Sequence, residues 1–190
     1  MNTPAHAIIN LLLAGKTNRK QYALPIMIGA LLPDFSMFLF YVWEKYKGVS
    51  ESIIWNDLYH QPAWQALFNT FHSFPLLAVA CFVAWRARLT TWAVFFASMF
   101  VHSIFDFPVH HNDAHQHFFP FSDYQFISPI SYWDPAHYGL WVGGLELLTV
   151  LVGSAFILRQ AEKRTALKRS VLAIASIYLI FWGFALLMWL

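Results

Sequence analysis

Five stretches of this chain run for 19 to 24 residues with at most one charge apiece. They cover residues 22–43, 62–85, 89–107, 138–158 and 170–190, and the charges among them are Asp34, Asp106 and Glu146. A helix of about 20 residues crosses a hydrocarbon layer of roughly 30 Å. The rest of the composition agrees: 58% of the residues are hydrophobic and 12% are charged, whereas soluble domains carry about a quarter charged residues. A soluble globular protein, a disordered chain and a basic nucleic-acid-binding module are all excluded. The fold class expected is all-α, a polytopic membrane helical bundle forming a single integral membrane domain over residues 1–190. It has about five transmembrane helices plus a short N-terminal helix. That first apolar stretch, residues 4–15, is too short to span and ends at Gly15. No basic region precedes it, so it is not read as a cleaved signal peptide.

The basic residues sort onto one side. Lys16, Arg19 and Lys20 precede the first long segment, and Arg86 and Arg88 separate the second from the third. Arg159, Lys163, Arg164, Lys168 and Arg169 separate the fourth from the fifth. Residues 108–137 contain no Lys or Arg, and loop 44–61 balances Lys45 and Lys47 with Glu44, Glu51 and Asp57. The positive-inside rule places the three basic loops in the cytoplasm and the other two outside. Segment 22–43, interrupted by prolines, is the first candidate for a re-entrant segment instead of a span.

An ionisable group inside a span is expensive and points to function. Counted from a cytoplasmic basic anchor, Asp34 lies 14 residues from Lys20, His72 14 from Arg86, His102 14 from Arg88 and Glu146 13 from Arg159, while His6 lies 13 from Arg19 across a turn. At 1.5 Å per residue this is one level, about 20 Å above the cytoplasmic boundary and in the outer half of the membrane. Structural hydrogen bonding is the competing explanation, but it leaves the shared depth unexplained. His102 and Asp106 stand four apart and share a helix face. Pro33 beside Asp34 and Pro75 just after His72 free backbone carbonyls, which at membrane depth is tolerated in a cavity or in protein.

Above that level runs an outer His-rich loop, residues 108–137, with His110, His111, Asp113, His115 and His117, and with His137 at its end. Of these, His111, His115 and His137, with Glu146, join the candidate metal ligands. Imidazole and carboxylate without thiolate suit zinc, with manganese or iron as alternatives, and the number of candidates allows one to three ions. The single cysteine, Cys81, lies near the cytoplasmic end of its segment and is no candidate nucleophile. Metal clusters that activate water serve phosphoester hydrolysis. Asp34 and Asp106 are the candidate catalytic residues, bridging metals or taking a proton. The partners expected are the lipid bilayer and a lipid-like or phosphate-bearing substrate. Nucleic acid is disfavoured, because the basic residues lie on the opposite face. A metal transporter or sensor using the same ligands, and a structural membrane subunit, stay open as alternatives.

The order of short motifs carries a resemblance. Thr3-Pro4-Ala5-His6, Leu32-Pro33-Asp34, Phe71-His72-Ser73, His102-x-x-x-Asp106 and Phe119-Pro120-Phe121-Ser122 follow one another along residues 3–122. This set resembles a family of bacterial membrane-bound, metal-dependent hydrolases. That family is distantly similar to zinc-dependent phospholipase C and the trinuclear-zinc single-strand nucleases. The resemblance implies a phospholipase C-like helical core in a bacterial cytoplasmic (inner) membrane. It also implies that His6, Asp34, His72, His102 and Asp106 are metal ligands. The chain departs from the pattern where Ala5 precedes His6, where Phe71 precedes His72, and in lacking a histidine four residues before Glu146.

Overall fold

The computed structural model of the chain describes residues 1–161 and 165–189, with side chains as far as residue 184. Lys163 and Arg164, two of the expected cytoplasmic basic residues, lie outside the described residues, as does Leu190. The architecture is all-helical among the described residues: α1 Thr3–Leu13, α2 Gly15–Tyr46, α3 Glu51–Ile53 running on into a π turn at Ile54–Leu58, α4 Pro62–His72, α5 Phe74–Arg86, α6 Thr90–Asp106, α7 Gly139–Gln160 and α8 Ala166–Trp189.

Three helices are long and apolar enough to cross a membrane: Gly15–Tyr46, Gly139–Gln160 and Ala166–Phe184. Helices α4 and α5, bent by 47° at Ser73, are apolar enough to make a fourth if the pair counts as one span. Segment 62–85 is therefore broken, whereas 22–43 is continuous. Ser73 leaves the helical region at φ −73°, ψ 116° and its hydroxyl accepts the Leu76 N–H, capping α5. Pro75 follows inside the first turn of α5, where it has no helical hydrogen bond to break. In α2, by contrast, the chain absorbs Pro25 through a non-helical Tyr22 (φ −125°, ψ 24°) one turn earlier. Helix α6 has 17 residues.

The packing is inside-out relative to a soluble protein. Leu24, Phe38, Val79, Phe82, Leu145, Val152 and Ile180 are all exposed large apolar residues, while His6, His72, His102 and Asp106 are fully buried. That distribution is stable in a bilayer and costly in water. Short α1 sits at the centre, against α2, α6, α7 and α8. Its Ile8 and Leu11 join Ile26, Val150, Ile157, Val171 and Tyr178 in the principal apolar cluster. Gly15, at φ +71°, makes the turn that ends α1 and starts α2. The buried Arg19 folds back to donate to the Leu11 and Leu12 carbonyls (2.9 and 3.3 Å) and to Gln160 Oε1 (2.6 Å), closing the C-terminal end of α1. At the C-terminal end of α2 Phe40, Ile54, Tyr59 and Phe68 form a second cluster that seats loop 44–61 on α2 and α4.

Candidate metal centre

Three helices converge on one point. Asp34 comes from α2, His72 from the last turn of α4, and His102 and Asp106 from one face of α6. One ligand atom from each lies within 4.8 Å of all the others. His102 Nε2 is 2.8 Å from Asp106 Oδ2 and 3.4 Å from Asp34 Oδ1, and His72 Nε2 is 3.7 Å and 3.8 Å from the same two carboxylates. From α1, His6 Nε2 lies 3.0 Å from Asp106 Oδ1, and its ring stacks on that of His102 at 3.6 Å.

The protonation of the two central imidazoles follows from their other nitrogens. His102 Nδ1 is 2.7 Å from the Ala30 carbonyl and His72 Nδ1 is 2.8 Å from the Phe68 carbonyl. A carbonyl oxygen only accepts, so both Nδ1 atoms donate and each neutral ring keeps its lone pair on Nε2. Those lone pairs face carboxylate oxygens that are also acceptors. Accordingly His72 Nε2, His102 Nε2, Asp34 Oδ2 and Asp106 Oδ2 are buried without a hydrogen-bond partner, although some lie within 3 Å of one another. Acceptors crowded against acceptors repel unless a proton or a metal cation sits between them: protons on the imidazoles pair them with the carboxylates in the metal-free protein, and a metal would take their place. Backbone carbonyls that fix the imidazole tautomer are the usual outer support of a metal-bound histidine. Ligands at bond lengths of about 2.0–2.2 Å in a tetrahedron stand roughly 3.3 Å apart, so this donor set fits one first-row ion with modest contraction.

The loop adds more imidazoles than the sequence reading assigned. His115 is buried and stacks on His72 at 3.9 Å, with neither ring nitrogen partnered. Burial holds its pKa well below the ordinary value, and holds that of His117 at about 4, so both rings are neutral at physiological pH. His110, not among the expected ligands, lies 3.2 Å from Asp106 Oδ1 and 3.2 Å from Asp113 Oδ2. Burial opposes its charge, but the two carboxylates outweigh burial and raise its pKa. The spacing held the clue to it: His110 continues the His102, Asp106 register by four more residues. The Met1 amine also approaches Asp106 Oδ1, at 2.6 Å.

Three expected ligands sit elsewhere. His111 and His137 pair with each other at the loop surface, ring centroids 3.6 Å apart. Glu146 accepts from the Asn2 backbone N–H (3.2 Å) and from the Tyr178 hydroxyl, tying α7 to α1 and α8. With its oxygens engaged in this way, Glu146→Gln is expected to leave bound metal unchanged when metal is measured on the purified protein. Compared with family models, curated proteins and solved structures, the chain matches none.

Proposed function

We propose that this chain is a membrane-embedded, metal-dependent hydrolase of a phosphoester bond in a lipid-like substrate, with zinc as the metal that suits its donors. The observation that carries the reading is the set of unshared lone pairs of Asp34, His72, His102 and Asp106 turned on one another inside a bilayer-exposed bundle. When bound, such a metal lowers the pKa of a water toward neutrality and polarises a phosphoryl oxygen. The chain's own part is to hold the cation with two imidazoles and two carboxylates and to keep water out on three sides. Asp34 is the one member whose side chain keeps some exposure, 11% against zero for the other three. Its Oδ2 is buried and without a hydrogen-bond partner, and a carboxylate oxygen left off the metal can take a proton from a water held beside it. One turn further along α2, Phe38 is exposed, an apolar flank suited to an acyl chain arriving from the bilayer.

In this reading α6, about 25 Å long at 1.5 Å per residue, and the bent α4–α5 pair are also spans. The chain then makes five crossings in a bacterial inner membrane around a phospholipase C-like core, with the site toward the outer half. A transporter or sensor would want polar groups continuing toward the cytoplasmic side. One turn deeper than His6 and His102 lie Asn10 and Ser98. The Asn10 amide donates to Ser98 Oγ and to the Ser98 carbonyl (both 2.8 Å), and the Ser98 hydroxyl donates to the Ile26 carbonyl (2.6 Å). Neither residue brings a charge to relay a cation.

The test is made on protein purified in mild detergent, loaded with zinc and offered bis(p-nitrophenyl) phosphate. Hydrolysis is expected to depend on zinc and to fall by about a hundredfold or more in His102→Ala, beyond what loss of an outer supporting group costs. Zinc retained at full stoichiometry with no hydrolysis, and zinc passage across proteoliposomes lost in the same variant, would replace this reading with transport.

A further inference from the structure

The His-rich loop contains a second grouping that the deep cluster does not use. His111 follows α6 and His137 precedes α7, 26 residues apart in sequence. Their rings lie face to face, with centroids 3.6 Å apart and planes 23° apart. In each ring Nδ1 is already spent. That of His111 donates to the Ser128 carbonyl at 2.6 Å, and that of His137 donates to Asp134 Oδ2 at 2.7 Å. Asp134 is itself held by the Ala136 N–H at 2.9 Å. A backbone carbonyl behind one imidazole and a buttressed carboxylate behind the other are the two commonest supports of metal-bound histidine. Neither Nε2 has a hydrogen-bond partner among the described residues. Both histidines are partly exposed to solvent, whereas neighbouring His110 and His115 are buried in the deep cluster.

We propose that His111 and His137 form a separate outer site for an exchangeable first-row divalent cation such as zinc, bound through the two Nε2 atoms. The stacked rings turn apart to bring both Nε2 lone pairs onto one ion, and water completes the coordination. Nitrogen donors select such ions over magnesium or calcium, which need oxygen. With two protein ligands the site binds more weakly than a four-ligand one. Its position gives it a task. The bond from the Ser128 N–H to the His110 carbonyl (3.0 Å), the bond from Tyr132 to Val109 (3.0 Å) and the bond from the Ser131 N–H to the His137 carbonyl (2.8 Å) already lace the loop together at this point. A cation bridging residues 111 and 137 clasps the loop that carries His110 and His115 over the deep cluster.

Residue-resolved carbethoxylation with diethyl pyrocarbonate, read by mass spectrometry on the full chain in detergent, tests this. Zinc is expected to slow modification of both His111 and His137 by about tenfold, as when only about a tenth of the sites stay free, while magnesium has no effect. In His137→Ala, zinc no longer protects His111, and in His111→Ala it no longer protects His137. In Asp34→Asn, which removes a deep ligand with little change of shape, protection of the outer pair persists. Protection of His111 surviving His137→Ala, loss of outer protection in Asp34→Asn, equal protection by magnesium, or no protection in the wild type would each overturn the proposal. Phosphodiester hydrolysis plays no part in these readouts, so the outer site and the proposed function stand or fall separately.

Discussion

Asp106→Asn and Asp34→Asn are both expected to lower zinc retention at the proposed deep site, and the first is expected to destabilise the metal-free protein more. Both remove an anionic donor from a group of four and keep the side chain's shape, so metal retention falls in each. Their other surroundings differ. Asp106 is fully buried, and its oxygens lie 3.0 Å from His6, 2.8 Å from His102 and 3.2 Å from His110, so three chain segments meet on one carboxylate. Removing one partner from a buried charge network costs about 3 to 5 kcal/mol, because the groups left behind are desolvated and unpaired. Asp34 touches only His102 and His72, at 3.4 and 3.8 Å, and keeps an unpartnered oxygen. In the metal-free state these two longer contacts hold the bundle less firmly than the three at Asp106. Asp34→Asn should therefore lower the melting temperature in chelator less than Asp106→Asn does, while abolishing the rise that zinc is expected to give the wild type. Ligand binding at 100 times Kd stabilises the native state by about 2.7 kcal/mol, a shift easily seen by thermal unfolding in detergent. Equal apo-state melting temperatures for the two variants would mean that Asp106 does not hold the helices together.

How far the sequence announced this arrangement depends on which residues lie on helices. His6, Asp34, His72 and His102 were legible because a membrane helix converts sequence distance from a basic anchor into depth, and groups at one depth can meet; Asp106 was legible because it stands one turn from His102 on the same face. Glu146 shares the depth but faces Asn2 and Tyr178, since depth says nothing about rotation around the helix axis. The loop was not legible in the same way. His110 and His115 turn inward while His111 turns out, and no period relates them. The break in the fourth candidate span was misplaced for a physical reason. Pro25 and Pro33 both lie inside α2, yet the helix leaves helical φ/ψ at Tyr22, one turn before Pro25, and runs on through Pro33. Pro75 instead follows a serine able to cap a new helix, so the chain breaks there and leaves His72 at a helix end.

Gly29→Val should couple packing to the metal centre more strongly than any other change outside the ligands. A Cβ at Gly29 would lie 2.4 Å from the Phe95 carbonyl oxygen and 2.9 Å from Ser98 Cβ, so α2 and α6 touch here backbone to backbone. The carbonyl cannot rotate away as a side chain would, and the helices must part. Overpacking of this kind costs about 1 to 3 kcal/mol, and a branched residue against backbone belongs at the upper end. The same crossing aims the Ala30 carbonyl at His102 Nδ1, 2.7 Å away, and the Ser98 hydroxyl at the Ile26 carbonyl. Separating the helices therefore loosens the group that fixes the His102 tautomer, and zinc affinity is expected to fall by about 10- to 100-fold. Gly144 lies on α7 with nothing within 4 Å of its added Cβ, and Gly144→Ala should change neither quantity, staying within about 0.5 kcal/mol as exposed substitutions do. Thermal unfolding in detergent and zinc titration with a competing chelator measure both effects on the same samples. A Gly29→Val protein with wild-type zinc affinity would show that His102 is oriented without help from α2.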